Sequence, residues 1–365
     1  MSPHAAKPTL CILNYNGESI LPLALQPACA IAERFSEIVV LDNGSQDGSR
    51  ELIRREFPQV RVLELGDNLG AAGGRNAGLT RIDSEQILLM DNDVALTADC
   101  VDRLVEAMAG RRDAAIAVPA VIYGNQRDRV QYCGAQCHFL GQQILVNENL
   151  PADEIAPGVV DMGSLVSCCF LVDRSRLPAD TLFDESFFIY FEDHEYGVRI
   201  RALGRALIAV PSARCYHGKG TEGLSIRQLG SYSSRRVFFL IRNRWLFLLK
   251  IYSMRTWLVL LPLFVFYEAS QLVIVASKGW LREWWRSVAW VLGNLPAIFR
   301  ERRRFQQRRV RHDGDLVAGG PLPFRSELTP GAMERFARRA LDGVAAAYWA
   351  LASPLIRRSR AGGAL

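Results

Sequence analysis

Three polar residues, each closing a short apolar run, constrain this chain more than any other feature. The run at residues 9–13 ends at Asn14, the run at 37–41 ends at Asp42, and the run at 86–90 ends at Asp91. Helical stretches separate them at about 18–35, 49–56 and 71–80, with a further strand at 60–65. Strand–helix alternation with short loops implies right-handed crossovers, and so an α/β fold with a doubly wound, mostly parallel sheet. Such sheets bind ligands beyond the carboxyl ends of their strands. Asn14, Asp42 and Asp91 all fall there.

The next stretch is less regular. A helix is predicted at 101–109, and a strand at 114–122 with Pro119 near its middle. A Gly-, Gln- and Asn-rich stretch runs to about 158, and 164–172 is a further apolar run. A helix at 194–203 stops at Gly204, and a last strand at 206–210 precedes Pro211. The predicted organisation is a catalytic domain over 1–230, its donor half about 1–98 and its acceptor half about 99–230. A basic, Trp-rich helical region follows at 231–365.

Charge divides at the same place. Residues 1–230 hold 21 Lys/Arg against 30 Asp/Glu, a net −9, whereas 231–365 hold 23 against 8, a net +15. The basic residues alternate with long apolar runs rather than polar loops. This pattern points to an anionic membrane surface and not to nucleic acid. A basic-aromatic helix is expected at 237–252. The 22 residues 256–277 are long enough to cross a bilayer, but Pro262, Glu268 and Gln271 interrupt them. Trp280, Trp284, Trp285 and Trp290 lie among Lys278, Arg282 and Arg286 as in an interfacial belt. Near the end, Met333, Phe336, Ala337, Ala340, Leu341, Val344, Tyr348 and Leu351 recur at helical spacing, with Arg335, Arg338 and Arg339 on other positions. The expectation is a peripheral or monotopic protein with a cytosolic N-terminus.

The eight cysteines show no disulfide framework, and several sit in apolar strand-like runs as reduced thiols do. Cys133-x3-Cys137-His138 has no second ligand pair, so it reads as packing rather than as a zinc site.

Chemistry concentrates in a few motifs. In ILLMDNDV, Asp91 and Asp93 leave a strand end as hard oxygen donors, suited to Mg²⁺ or Mn²⁺ bridging phosphates. A lone D-x-D is commonly a solvated turn, and its place in the alternation is what lends it weight. Asp42, in IVVLDNGSQDGS, is placed to accept an imide N–H of a pyrimidine base or a ribose hydroxyl, while its neighbours also suit a helix cap. NLGAAGGRNAGL opens a helix with glycines that admit a close backbone approach, and its start favours anions. Its spacing fits neither G-x-G-x-x-G after the first strand nor a Walker A loop, which disfavours NAD and ATP. Glu192-Asp193 follows an aromatic run whose apolar wall raises a carboxyl pKa, as a general base requires; an acidic helix start reads the same way. His217 follows a strand and is either structural or a third metal ligand.

Taken as an ordered series, ILNYNG, VVLDNGSQDGS, NLGAAGGRNAGL, ILLMDNDV, FDESFFIYFEDHEYGVRIRALG and His217 resemble the family 2 glycosyltransferases. The nearest branch is the bacterial rhamnosyltransferase-like enzymes of cell-surface polysaccharide assembly, and the resemblance spans about residues 8–250. It implies a GT-A fold and an inverting, metal-dependent transfer from a UDP- or dTDP-sugar to a lipid-linked glycan acceptor, at the cytoplasmic face of the inner membrane. Polyprenyl phosphate as acceptor and a silent nucleotide-sugar-binding subunit are the alternatives. Asp193 corresponds to the catalytic base. Asp91, Asp93 and His217 correspond to the metal site, and Glu192 and Arg199 lie on the acceptor side. Asn14, Asn16, Asp42, Asn43, Asn68, Gly74, Arg75, Asn76, Asp91 and Asn92 form the expected donor-binding set. Ile241 stands where a processive synthase carries the Gln of Q-x-x-R-W, which disfavours a polymerising enzyme.

Overall fold

The computed structural model describes residues 7–218, 233–321 and 332–357, without the side chains of 332–335, 337 and 338. It divides into two compact units. One comprises residues 1–135, 145–200 and 205–228; the other comprises 136–144, 201–204 and 229–365.

The first unit opens with the alternation β1 (Thr9–Asn14), α1 (Pro22–Ala30), β2 (Ile38–Asp42), α2 (Ser49–Glu56), β3 (Arg61–Glu64), α3 (Gly70–Arg81) and β4 (Gln86–Asp91). Then come β5 (Val94–Ala95), α4 (Ala98–Gly110), β6 (Ala114–Tyr123) and β7 (Gln126–Tyr132). Strands β8 (Ala135–His138) and β9 (Gln143–Leu145) fall mostly in the second unit, and the first is completed by β10 (Val160–Asp161), β11 (Cys169–Asp173), α5 (Glu192–Ala202) and β12 (Ala206–His217). The main sheet runs β10-β12-β6-β11-β4-β1-β2-β3, with β7 paired to β6 and β5 to β12. Strands β1 to β4 are mutually parallel, and β11 is antiparallel to both neighbours. The result is a mixed sheet whose parallel half is the one the alternation predicts.

Successive β1 residues feed opposite faces: Leu10 and Ile12 enter one buried cluster, Cys11 the other. Both faces are covered, which is why the parallel strands read as continuous apolar runs. Register sets the strand ends side by side, with Asn14 opposite Asp42 and Leu13 opposite Asp91. Seven of the eight cysteines are buried and all are free thiols. Burial pushes the Cys11 and Cys133 thiols up to about 12, so they are inert packing groups.

Several boundaries differ from the sequence reading. Helix α1 begins at Pro22 rather than near Glu18, because Pro suits a first helical position and the preceding residues form a turn. The run at 164–172 becomes strand only from Cys169, since Ser164 and Ser167 are held by side chains of α5. Strand β12 passes straight through Pro211 to His217, with a register shift between Val210 and Arg214. That irregularity lies beside Pro119 of β6, which has no N–H to give the ladder, so both prolines are absorbed at one bulge.

The second unit is mainly helical: α6 (Ser234–Ile251), α7 (Met254–Ser277), α8 (Leu281–Gly293), α9 (Leu295–Arg308), α10 (Asp313–Leu316), β13 (Val317–Ala318) and α11 (Ala332–Arg357). Ser233 and Ser253 cap α6 and α7 through the amides of Arg236 and Thr256. Strand β13 pairs with β8. Trp349 of α11 stacks on Phe139 at 4.5 Å between ring centroids. Cys137 faces the Tyr252 hydroxyl and the His138 carbonyl. Of the amphipathic pattern expected in α11, Met333, Arg335, Ala337 and Arg338 lie outside the described side chains.

Candidate active site

The carboxyl ends of β1, β2 and β4 carry a buried polar network. Asn14, with no exposed surface, donates to Asp42 Oδ1 at 3.5 Å and Ser45 Oγ at 3.2 Å, and accepts from Asn92 Nδ2 at 2.8 Å. Asn16 accepts from the Gln46 amide at 2.8 Å, and its own amide donates to Ser45 Oγ. Asn43 Nδ2 donates to the Gly70 carbonyl at 3.0 Å, while its Oδ1 accepts from the Leu69 amide at 2.9 Å. Asn68 Oδ1 accepts from the Gly70 amide at 2.9 Å. A buried polar group must find a partner, and here the three strand-end loops satisfy one another.

The start of α3 is partly closed in the same way. Ala72 N donates to the Phe188 carbonyl at 3.2 Å, so with the Leu69 and Gly70 amides three donors of the expected anion-binding turn already have protein acceptors. Gly74 serves packing, since an added Cβ would lie 2.4 Å from Leu13 Cδ1. Asn76 holds the segment before α5, donating to the Phe183 carbonyl and Glu185 Oε1 and accepting from the Phe183 amide. Arg75 is 4% exposed. Its Nη2 meets Asp91 Oδ1 at 2.8 Å and its Nη1 meets Glu192 Oε1 at 3.0 Å. A fork of fixed donors suits this double duty, and the guanidinium thereby brings the D-x-D and the acidic pair together.

Asp91, Asp93 and His217 each offer one ligand atom, and these atoms lie within 4.8 Å of one another. His217 Nε2 is 3.2 Å from Asp93 Oδ1, and its Nδ1 is 2.8 Å from Gln131 Oε1. The Gly218 amide donates to the Asp93 carbonyl at 2.8 Å, tying the end of β12 to the D-x-D turn. Two carboxylates and an imidazole converging at this spacing fit a divalent cation.

The acidic pair opens α5. Asp193 Oδ2 accepts from the Ser167 amide at 3.2 Å and Ser167 Oγ at 3.4 Å, and its Oδ1 accepts from the His194 amide at 2.7 Å. Burial raises the Asp193 pKa, against the lowering influence of Arg75 and these hydrogen bonds. Glu192 is pushed up to about 8 by burial first and the neighbouring Asp193 charge second, with Arg75 opposing. Its Oε2 is buried and has no partner among the described residues. Immediately before, Phe188, Tyr190 and Phe191 have φ of 64°, 64° and 67°. Left-handed backbone at three aromatic residues costs of order 1–3 kcal/mol each and gathers at functional sites. Arg199 donates to Glu195 Oε1 at 2.6 Å and to the Leu182 carbonyl at 2.6 Å. Sequence reasoning missed Ser167 and Gln131.

Comparison with known proteins bears on the class. The sequence profile of Glycosyl transferase family 2 matches residues 9–152. An N-acetylglucosaminyl-diphospho-decaprenol L-rhamnosyltransferase of Mycobacterium tuberculosis is 26% identical over 208 residues, covering 51% of this chain and 68% of that protein. The dTDP-rhamnosyl transferase RfbF of Shigella flexneri is 23% identical over 228 residues, 60% of this chain and 73% of that one. The crystal structure of GalNAc-T7 with UDP, GalNAc and Mn²⁺ superposes with a TM-score of 0.55 at 18% identity, covering 69% of this chain and about half (49%) of that one. That likeness identifies the GT-A fold. The chain is therefore a glycosyltransferase with a GT-A-like sheet. Over residues 9–152 it is similar to family 2, and the two rhamnosyltransferases above are among its similar relatives.

Proposed function

We propose that the chain is an inverting, metal-dependent transferase. In this reading it moves rhamnose or another hexose from a UDP- or dTDP-sugar to a lipid-linked glycan, at the cytoplasmic face of a membrane. The observation that carries the reading is the meeting of Asp91, Asp93 and His217 at the strand ends, with Arg75 linking Asp91 to the Glu192-Asp193 pair. The M. tuberculosis relative, by its name, acts on a decaprenol-linked sugar, which supports a lipid-linked acceptor here.

Asp91, Asp93 and His217 would hold Mg²⁺ or Mn²⁺, whose charge, when bound, stabilises the departing diphosphate. Asp42 and the asparagines around it form the floor for base and ribose. Asp193 accepts the proton of the acceptor hydroxyl at its carboxylate, which the Ser167 and His194 donors aim. As that proton leaves, the acceptor oxygen bonds to the anomeric carbon and the bond to the diphosphate breaks on the opposite face. Arg75 keeps Glu192 and Asp91 from repelling one another in a site with little solvent.

The test is transfer from a panel of UDP- and dTDP-sugars to a polyprenyl-diphosphate-linked sugar, with Mn²⁺, Mg²⁺ or EDTA. Turnover should need the metal and give a product of inverted anomeric configuration. Asp193→Asn should lower kcat roughly 10²–10⁴-fold with Mn²⁺ binding intact. Full transfer in EDTA, or by Asp193→Asn, would refute the assignment.

A further inference from the structure

Gln131 lies outside every motif considered above, yet its Oε1 stands 2.8 Å from His217 Nδ1. The backbone explains how it gets there. Along β6 and β7, Val121 faces Tyr132 and Ile122 faces Val130, so one step on β6 spans two on β7 and Gln131 is the extra residue. In a regular strand, residues two apart share a face. Here Val130 and Tyr132 pack into opposite buried clusters of the sheet. A bulge of this kind re-aims a side chain and is often found beside functional sites.

We infer that Gln131 is a positioning residue for the metal centre: its amide oxygen fixes His217 in the tautomer that carries its proton on Nδ1 and turns the Nε2 lone pair toward Asp93. An acceptor at Nδ1 requires N–H there, because a neutral imidazole has one donor and one acceptor nitrogen. Nε2 then presents a lone pair 3.2 Å from Asp93 Oδ1. Two electron-rich atoms at that distance repel, and a divalent cation between them turns the repulsion into shared ligation. Outer partners of ligating histidines set ring orientation and basicity in this way, and their loss typically weakens metal binding 10–100-fold. This role rests on the metal-dependent reading above.

The experiment measures Mn²⁺ binding to the full chain by calorimetry and by the EPR signal of free Mn²⁺, with UDP present. Five proteins are compared: wild type, Gln131→Leu, Gln131→Glu, His217→Ala and the double variant Gln131→Leu/His217→Ala. Gln131→Leu should bind Mn²⁺ about 10–100-fold more weakly. Gln131→Glu, which keeps the acceptor, should bind at least as tightly as wild type. In a His217→Ala background, Gln131→Leu should have no further effect. An unchanged Kd in Gln131→Leu while His217→Ala weakens binding overturns the inference alone. No Mn²⁺ binding by wild type, or equal binding by wild type and His217→Ala, overturns the metal-site reading with it. Should Gln131→Leu fold poorly, ¹⁵N-histidine NMR of metal-free wild type, assigned against His217→Ala, decides: a proton on Nε2 refutes the inference.

Discussion

Glu192 shows how a single buried carboxyl ties stability to the chemistry beside it. Its raised pKa means that the folded chain holds the proton more tightly than the unfolded chain does. The stabilisation is therefore full at pH values below the usual carboxylate range and is lost as pH rises through about 8. Glu192→Gln keeps an oxygen for Arg75 Nη1 and removes the ionisation. Compared with wild type in EDTA, its Tm should fall less between pH 5 and 9, so that the gap widens with pH. Parallel Tm curves would show that Glu192 does not titrate in that window. At this scale the sequence was informative where chemistry demands a residue type at a strand end: Asp91, Asp93 and His217 do converge. It was silent on Ser167 and Gln131. A serine in a loop and a polar residue between Val130 and Tyr132 look ordinary, because a bulge leaves no mark on the alternation of polar and apolar residues. The anion-binding reading of the α3 start was weakened for a related reason. The acceptors that occupy its amides come from Asn43, Asn68 and Phe188, remote in sequence.

Among elements, β1, β2 and β4 were legible almost to the residue, since strands buried on both faces read as unbroken apolar runs. The short β7 to β10 were not. Their Gly-, Gln- and Asn-rich sequence has neither period, and tertiary contacts shape it. The turn between β1 and α1 depends on Gly17, whose built Cβ would stand 2.2 Å from both Asn14 Oδ1 and Asn92 Nδ2. Those two side chains hydrogen-bond across that spot at 2.8 Å, and their neighbours are also buried. Gly17→Ala must push them apart, at a cost of about 1–3 kcal/mol for an overpacked site. Because Asn92 lies inside the D-x-D turn, Mn²⁺·UDP affinity should fall along with Tm. Calorimetry and thermal melts check both, and unchanged values would mean that the turn yields without disturbing Asn92.

For the whole molecule, the open question from sequence was whether residues 256–277 cross a bilayer. Helix α7 (Met254–Ser277) is the one described helix long and apolar enough to do so. Within its own unit, one side of it is fastened: Glu268 pairs with Arg244 of α6, Gln142 donates to the Tyr267 hydroxyl, and Tyr348 of α11 donates to the Val259 carbonyl. The other side is exposed and apolar, with Met254, Leu258, Val265 and Val273 each more than 60% exposed. Their spacing of three to four residues, or multiples of it, puts them on one stripe. A water-facing helix would carry polar residues there. Arg255 and Lys278 are exposed at its two ends, and Trp285 and Leu292 of α8 are exposed as well. A spanning helix would have to carry the Arg244–Glu268 pair into hydrocarbon, whereas a helix lying in the interface buries only the stripe and leaves cations at headgroup level. Each such Lys or Arg contributes about 1 kcal/mol near an anionic surface. The full chain is therefore expected to float with vesicles containing phosphatidylglycerol and much less with phosphatidylcholine alone, and to release partly at 0.5 M salt, where the screening length falls below the roughly 10 Å it has at 0.1 M. Leu258→Glu with Val265→Glu should abolish flotation while leaving Mn²⁺ binding unchanged. Flotation that survives both substitutions and resists alkaline carbonate extraction would instead indicate a helix that spans.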